Sequence, residues 1–137
     1  MADKKISQLT AVTSLDGTEP LPLVQSGTTK KATISQVLTG QIVTEAGASR
    51  TLSATDNGKI IYCTSGSAVT VSCPDGLDVG FNATIIQGGA GKVTLAASGS
   101  ATLNSYSALL STMGQYAVVS VISPVADEFI AAGNLGV

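Results

Sequence analysis

From residue 50 onward, short runs of alternating apolar and polar side chains are broken by Gly, Asn, Asp or Ser. Period-two alternation buries one face of a pleated strand and wets the other. Strands are expected at 50–53, 59–63, 68–73, 81–87, 92–97, 101–104, 116–123 and 128–132. Ile61, Cys63, Val69, Val71 and Cys73 fall on one side of the 59–73 segment, and Thr64, Thr70 and Ser72 on the other. Phe81, Ala83, Ile85 and Gln87 alternate with Asn82, Thr84 and Ile86. The continuous apolar run Val118, Val119, Val121 and Ile122 predicts a central strand covered on both faces. Ser65-Gly66-Ser67 and Gly88-Gly89-Ala90-Gly91 read as hairpin turns joining the flanking strands. Asp56-Asn57-Gly58 offers a left-handed position before a strand, and Pro74 ends one by lacking a donor. Segment 105–115 fits a loop or a short helix. The fold class expected is all-β: a small antiparallel β-sandwich or barrel, jelly-roll-like, over residues 45–137, with 41–49 as a connector.

Residues 1–44 carry a different pattern and are expected to form an extended N-terminal arm. Ile6, Leu9, Val12 and Leu15 recur every third position, which suits a helical turn or an irregular arm with one sticky face. Glu19-Pro20-Leu21-Pro22-Leu23-Val24-Gln25 reads as extended, because each proline pushes its predecessor toward β geometry. Ser26-Gly27-Thr28 is a turn, Lys30 to Ile34 a returning strand, and Ser35 a cap for a short helix over residues 36–38 closed by Gly40. A lone hairpin is marginal in water, so these apolar residues call for a partner surface.

Composition sharpens this picture. Apolar residues make up 44% of the 137 and charged ones only 12%, about half the usual share. A surface rich in Ser, Thr, Gly and Ala is easily desolvated against other protein. Residues 1–44 hold four lysines against Asp3, Asp16 and Glu19, whereas residues 45–137 hold Arg50, Lys59 and Lys92 against six acidic residues. A single arginine and no tryptophan argue against nucleic acid as partner. No apolar window long enough to span a membrane occurs, and MADKKISQLT lacks the apolar core of a secretory signal. Cys63 and Cys73 are expected to be free, buried thiols of a reducing compartment, too far apart along the strands to bridge.

Candidate chemistry is thin. The chain has no histidine, which removes the commonest general base and any Ser-His-Asp or Cys-His arrangement. Two lone cysteines make a poor metal site. Asp75/Asp78 and Asp127/Glu128 are close carboxylate pairs, but both read as turn residues rather than a glycosidase pair. The Gly88–Lys92 run lacks the residue order and following helix of a phosphate loop, and Asp56-Asn57-Gly58 lacks the second oxygen cluster of a calcium loop. Tyr62, Tyr106 and Tyr116 are scattered and read as core or interface filler. No enzyme, cofactor or metal is expected.

Two stretches go further. Residues 4–39, KKISQLTAVTSLDGTEPLPLVQSGTTKKATISQVLT, resemble an N-terminal module of tailed-bacteriophage virion proteins, chiefly tail fibres and small head or tail accessory proteins. Residues 50–135, with VGFNATIIQGGAGKVT and GQYAVVSVI, look like a β module of such fibres. The resemblance implies a structural virion protein assembled in the bacterial cytoplasm, as a homotrimer, docked on a major capsid or tail protein through the arm. The chain stops at Val137, where such fibres continue into a shaft and tip, so a capsid decoration, head-fibre or small tail accessory role is expected. A fibre or spike component that binds a host surface glycan is the alternative. Ile6, Leu9, Leu15, Leu21, Leu23 and Val24 are the expected docking contacts, with Lys30 and Lys31, together with Lys4 and Lys5, meeting acidic surface.

Overall fold

The structure is a computed structural model that describes residues 20–33 and 41–137. The chain divides into two compact units, residues 1–39 and 40–137. In the first, β1 (Pro20–Gln25) and β2 (Thr28–Thr33) pair antiparallel in the register Pro22↔Lys31, Leu23↔Lys30 and Val24↔Thr29. Ser26 and Gly27 both have positive φ, 52° and 74°. That is the two-residue turn whose twist matches the flanking strands, and glycine adopts it without a Cβ penalty. The short helix expected over 36–38 lies outside the described residues.

The second unit is all-β, apart from single 3-10 turns at Ala54–Asp56 and Tyr106–Ala108. Its strands are β3 (Ile42–Glu45), β4 (Ser49–Thr51), β5 (Lys59–Cys63), β6 (Val69–Pro74), β7 (Asn82–Gln87), β8 (Val93–Ser98), β9 (Thr102–Ser105), β10 (Ser111–Thr112), β11 (Val118–Val125), β12 (Glu128–Gly133) and β13 (Leu135–Gly136). They form a six-stranded sheet, β3-β5-β7-β11-β12-β9, and a five-stranded sheet, β13-β10-β8-β6-β4.

The winding is solenoid-like rather than antiparallel throughout. The chain lays one strand in the six-stranded sheet, crosses to the five-stranded sheet, and returns one position along. So β3, β5 and β7 are parallel neighbours, as are β4, β6 and β8. After β8 the direction reverses: β11 pairs antiparallel with β7 and β12 with β11, while β10 pairs antiparallel with β8. The expected hairpins 59–73 and 81–97 therefore do not exist, and the all-antiparallel expectation is corrected. Their loops are corners that stack on one another. Thr64 N–H donates to Glu45 O (2.8 Å), Gly88 N–H to Cys63 O (2.7 Å) and Gly91 N–H to Ser65 O (3.0 Å). The glycines permit this stacking: a Cβ on Gly91 would lie 1.8 Å from the Ser67 carbonyl oxygen. Segment 41–49, expected as a connector, holds β3 and the start of β4. Segment 105–115 holds one 3-10 turn and the two-residue β10.

Both sheets contribute to one core. Ile61, Ile85, Val119 and Val121 from the six-stranded sheet meet Val69, Val71, Val93 and Leu95 from the five-stranded sheet, all buried. Phe81 and Phe129 pack edge to face, with centroids 6.4 Å apart at 86°, an arrangement their ring quadrupoles favour. Asp56-Asn57-Gly58 does place a left-handed residue before β5, Gly58 at φ 73°.

Cys63 and Cys73 are free and buried, as expected, but for a different reason from strand spacing. Cys63 lies beside Glu45 and Gln87 in the six-stranded sheet, and Cys73 beside Ala97 in the five-stranded sheet. Burial, reinforced by the Glu45 carboxylate, pushes the Cys63 thiol up to about 11, and burial pushes Cys73 up to about 12. Only the thiolate attacks a disulfide reagent. With Ellman's reagent at pH 8, both thiols should react at least about 100-fold more slowly in the native protein than in denaturant. A native thiol reacting at the free-cysteine rate would contradict this packing.

Candidate interaction surfaces

The expected docking residues fall in the first unit. Ile6, Leu9 and Leu15, with Lys4 and Lys5, lie outside the described residues. Leu21, Leu23 and Val24 lie on β1, and Lys30 and Lys31 on β2. Pro22 and Lys31 stand opposite each other, and both are exposed. The hairpin thus places β1 apolar positions and the β2 lysines on neighbouring backbone.

The second unit presents two outer sheet faces of different chemistry. On the five-stranded sheet, Ser49, Thr70, Thr94 and Ser111 align in one cross-strand row, and Thr51 and Ser72 in the next. The Thr94 and Ser111 hydroxyls are hydrogen-bonded at 3.0 Å. Such hydroxyl rows suit contact with water. On the six-stranded sheet the corresponding rows mix apolar residues with Thr44, Thr84, Ser120, Asn82 and Asn104. Tyr62, Ile86 and Val118 form one, Ile42 and Ile60 begin a second, and Ile122 stands opposite Ile130 in a third. Val118 and Ile122 are exposed, which corrects the expectation that β11 is covered on both faces.

Polar side chains inside the unit serve the fold. Arg50 on β4 donates to Asp56 Oδ1 at 2.6 Å and to Glu45 Oε2 at 3.3 Å. Asp56 is only 1% exposed, and its Oδ2 also accepts the Ser53 N–H (2.9 Å) and hydroxyl (3.0 Å). Burial opposes the Asp56 charge, but Arg50 and Ser53 outweigh it and hold the carboxyl below its ordinary range. Near the other end of the fold, the buried Thr112 hydroxyl donates to the Gln87 side-chain carbonyl and accepts the Val93 N–H (3.0 Å). The Gln87 amide in turn donates to Gly89 O at 3.2 Å. That ties the Gly88–Gly91 corner to β10, so the corner is occupied by the protein's own groups rather than shaped for a phosphate.

Of the carboxylates expected as turn residues, Asp75 and Asp127 are engaged in turns, whereas Glu128 is corrected to the first residue of β12, paired with Thr102. Asp75 Oδ2 accepts the Ser100 N–H (3.1 Å) and hydroxyl (2.8 Å), and these bonds lower its pKa. Asp127, at φ 57°, accepts the Gly76 N–H through Oδ1 at 2.7 Å. The described residues contain no group of three or more Cys, Asp or Glu placed to hold a metal ion. No helix among the described residues is long and apolar enough to cross a membrane.

Tyr106 and Tyr116 are exposed rather than core, and only Tyr62 is partly buried. Tyr106, 92% exposed, borders a cleft of about 240 Å³ lined also by Leu109, Ile130, Gly133 and Leu135. Ser107 and Ala108 beside it hold positive φ, 58° and 55°, a strained backbone for residues with a Cβ. No protein-family model matches the chain, and no curated protein matches it significantly.

Proposed function

We propose that this chain is a structural, non-enzymatic protein of a tailed-bacteriophage particle: a capsid decoration, head-fibre or small tail accessory protein. The first unit attaches to a capsid or tail protein, and the second is displayed and joins copies of itself in a homotrimer. We read the second unit, two sheets over one core, as a sandwich-like body, which the burial of residues from both sheets in that core supports. The observation that carries this reading is the division of the chain. Residues 40–137 form a compact unit around their own core, while the β1–β2 hairpin belongs to a separate, smaller unit. An isolated hairpin gains stability by packing on another surface, and the residues resembling phage attachment modules lie in that unit. At about 25 cal/mol per Å² of apolar surface, several buried Leu and Val side chains supply several kcal/mol per copy before association costs. Assembly of copies multiplies that by avidity.

The test is co-sedimentation with particles. The full chain is expected in the particle fraction. A chain lacking residues 1–40 is expected in the supernatant, with its β-type circular dichroism retained. Equal incorporation of the shortened chain would rule out the first unit as anchor.

A second reading, recognition of a host glycan, draws on Tyr106 beside its apolar cleft, since an exposed ring can stack on a sugar face. Glycan-array binding lost in Tyr106→Ala would favour it.

A further inference from the structure

We infer that Asn57 is a deamidation site that the native fold holds shut, so that its modification marks an opening of the first coil, β3 to β5. Asn57-Gly58 is the only Asn-Gly pair in the chain. Such a pair carries its own chemistry. The Gly58 nitrogen gives its proton to hydroxide and attacks the Asn57 side-chain carbonyl carbon. A C–N bond forms, and the side-chain nitrogen takes a proton from water and leaves as ammonia. The five-membered succinimide that remains is cleaved by water at one of its two ring C–N bonds. Cleavage at Cγ gives aspartate. Cleavage at the former main-chain carbonyl gives isoaspartate, whose backbone runs through Cβ and Cγ. Glycine obstructs the attack least, because it has no side chain. Both residues are exposed, so base and water reach them.

The folded corner withholds that reaction in three ways. Asn57, at φ −58° and ψ 128°, and Gly58, at φ 73°, are the central residues of a tight turn, in the form that needs glycine second. Ring closure requires the Gly58 nitrogen to lie beside Cβ about the Asn57 Cα–C bond, and at this ψ it is swung away. The Gly58 N–H donates to Asn82 O at 2.7 Å, and an amide proton held in such a bond is kept from base until the bond opens. Asn57 Oδ1 accepts the Asn82 N–H (3.0 Å) and the Asn82 side-chain amide (3.3 Å), which fixes the side chain. The corner also stands where opening is easiest. It joins β4 to β5, and β3 and β4 are edge strands, each with one neighbour among the described residues. Elements at an edge open at lower free energy than the core. The Arg50–Asp56 pair ties the corner down. Isoaspartate adds one backbone atom to the turn and a second carboxylate next to buried Asp56, so the Asn82 contacts no longer fit. A transient opening thereby becomes permanent.

The modification is independent of particle attachment and of self-assembly. The test incubates the full chain at mildly alkaline pH and follows residue 57 by peptide mass spectrometry, with aspartate and isoaspartate separated by elution. Asn57 is expected to deamidate at least about tenfold more slowly in the native protein than in denaturant, because the rate follows the population of the open corner. Arg50→Ala, which frees the corner, is expected to react at least about threefold faster than the native wild type. Should that variant fail to fold, denaturant below the wild-type transition takes its place, and the rate must rise with its concentration. The isoaspartate form, made in denaturant and returned to buffer, is expected to melt below the unmodified chain. A native rate equal to that in denaturant overturns the inference. So does a rate that Arg50→Ala, or mild denaturant in its place, leaves unchanged, and so does an isoaspartate form that melts with the unmodified chain.

Discussion

Replacing Arg50 with alanine is expected to destabilise the second unit by about 3–5 kcal/mol, the cost of leaving a buried charge without its partner. Asp56 is almost wholly buried, and its shortest contact is the 2.6 Å bond from Arg50. Without the guanidinium, the carboxylate keeps only the Ser53 donors. The consequence reaches beyond one pair, because Arg50 joins β4 to β3 through Glu45 and to the 3-10 turn before β5 through Asp56. These elements make the first coil, at the edge of both sheets. Chemical denaturation of Arg50→Ala, Asp56→Ala and Arg50→Ala/Asp56→Ala measures this coupling. The double variant should be more stable than the additive loss of the two single ones, since it removes the stranded charge. The pH dependence has a definite sign. The folded-state pKa of Asp56 is depressed, so its contribution is fully present above the unfolded carboxylate value of about 3.9. It is lost as the pH falls through the lower folded value. Wild-type stability should therefore drop in acid more steeply than that of Asp56→Asn.

Truncating Phe129 to alanine is the other large effect, with an expected loss of about 3–5 kcal/mol. The ring is fully buried, meets Phe81 edge to face, and lies in β12, where Leu103 of β9 is its cross-strand partner. Removing it opens a void between elements brought together late in the chain. Phe129→Leu, which keeps most of the volume, should lose under about 2 kcal/mol. Thermal melts of the two variants distinguish a packing role from a general intolerance at this position. Equal losses would mean that ring volume is not what the site requires.

Much of the strand pattern is readable from residue order, because alternation reports burial directly. β5 spans the expected 59–63, and the alternation of Phe81, Ala83, Ile85 and Gln87 with Asn82, Thr84 and Ile86 matches their burial. Strand neighbours are not readable in this way. Alternation tells which face of β6 points inward but not whether β5 lies beside it or across the core, and both arrangements bury Val69 and Val71. The short Ser65-Gly66-Ser67 segment suits a hairpin turn and a corner equally, so residue order does not mark the parallel coils. β10 and β13, two residues each, are too short to leave a period.

The Arg50–Asp56 tie did carry a signal. Ser53 followed three residues later by Asp56 is a capping-box spacing, beside the only arginine in the chain. The apolar run at Val118–Ile122 suggests a doubly covered strand, because an exposed Val/Ile row is indistinguishable from a buried one until the sheet is assembled.

A division between attachment and display requires residues 41–137 to fold without the leading unit. Differential scanning calorimetry of that fragment tests this most directly. A single cooperative transition within a few degrees of the full chain's main transition is the expected result. A fragment that melts without cooperativity, or only far below the full chain, would mean that the leading residues belong to the fold of the body, and would contradict the division between attachment and display.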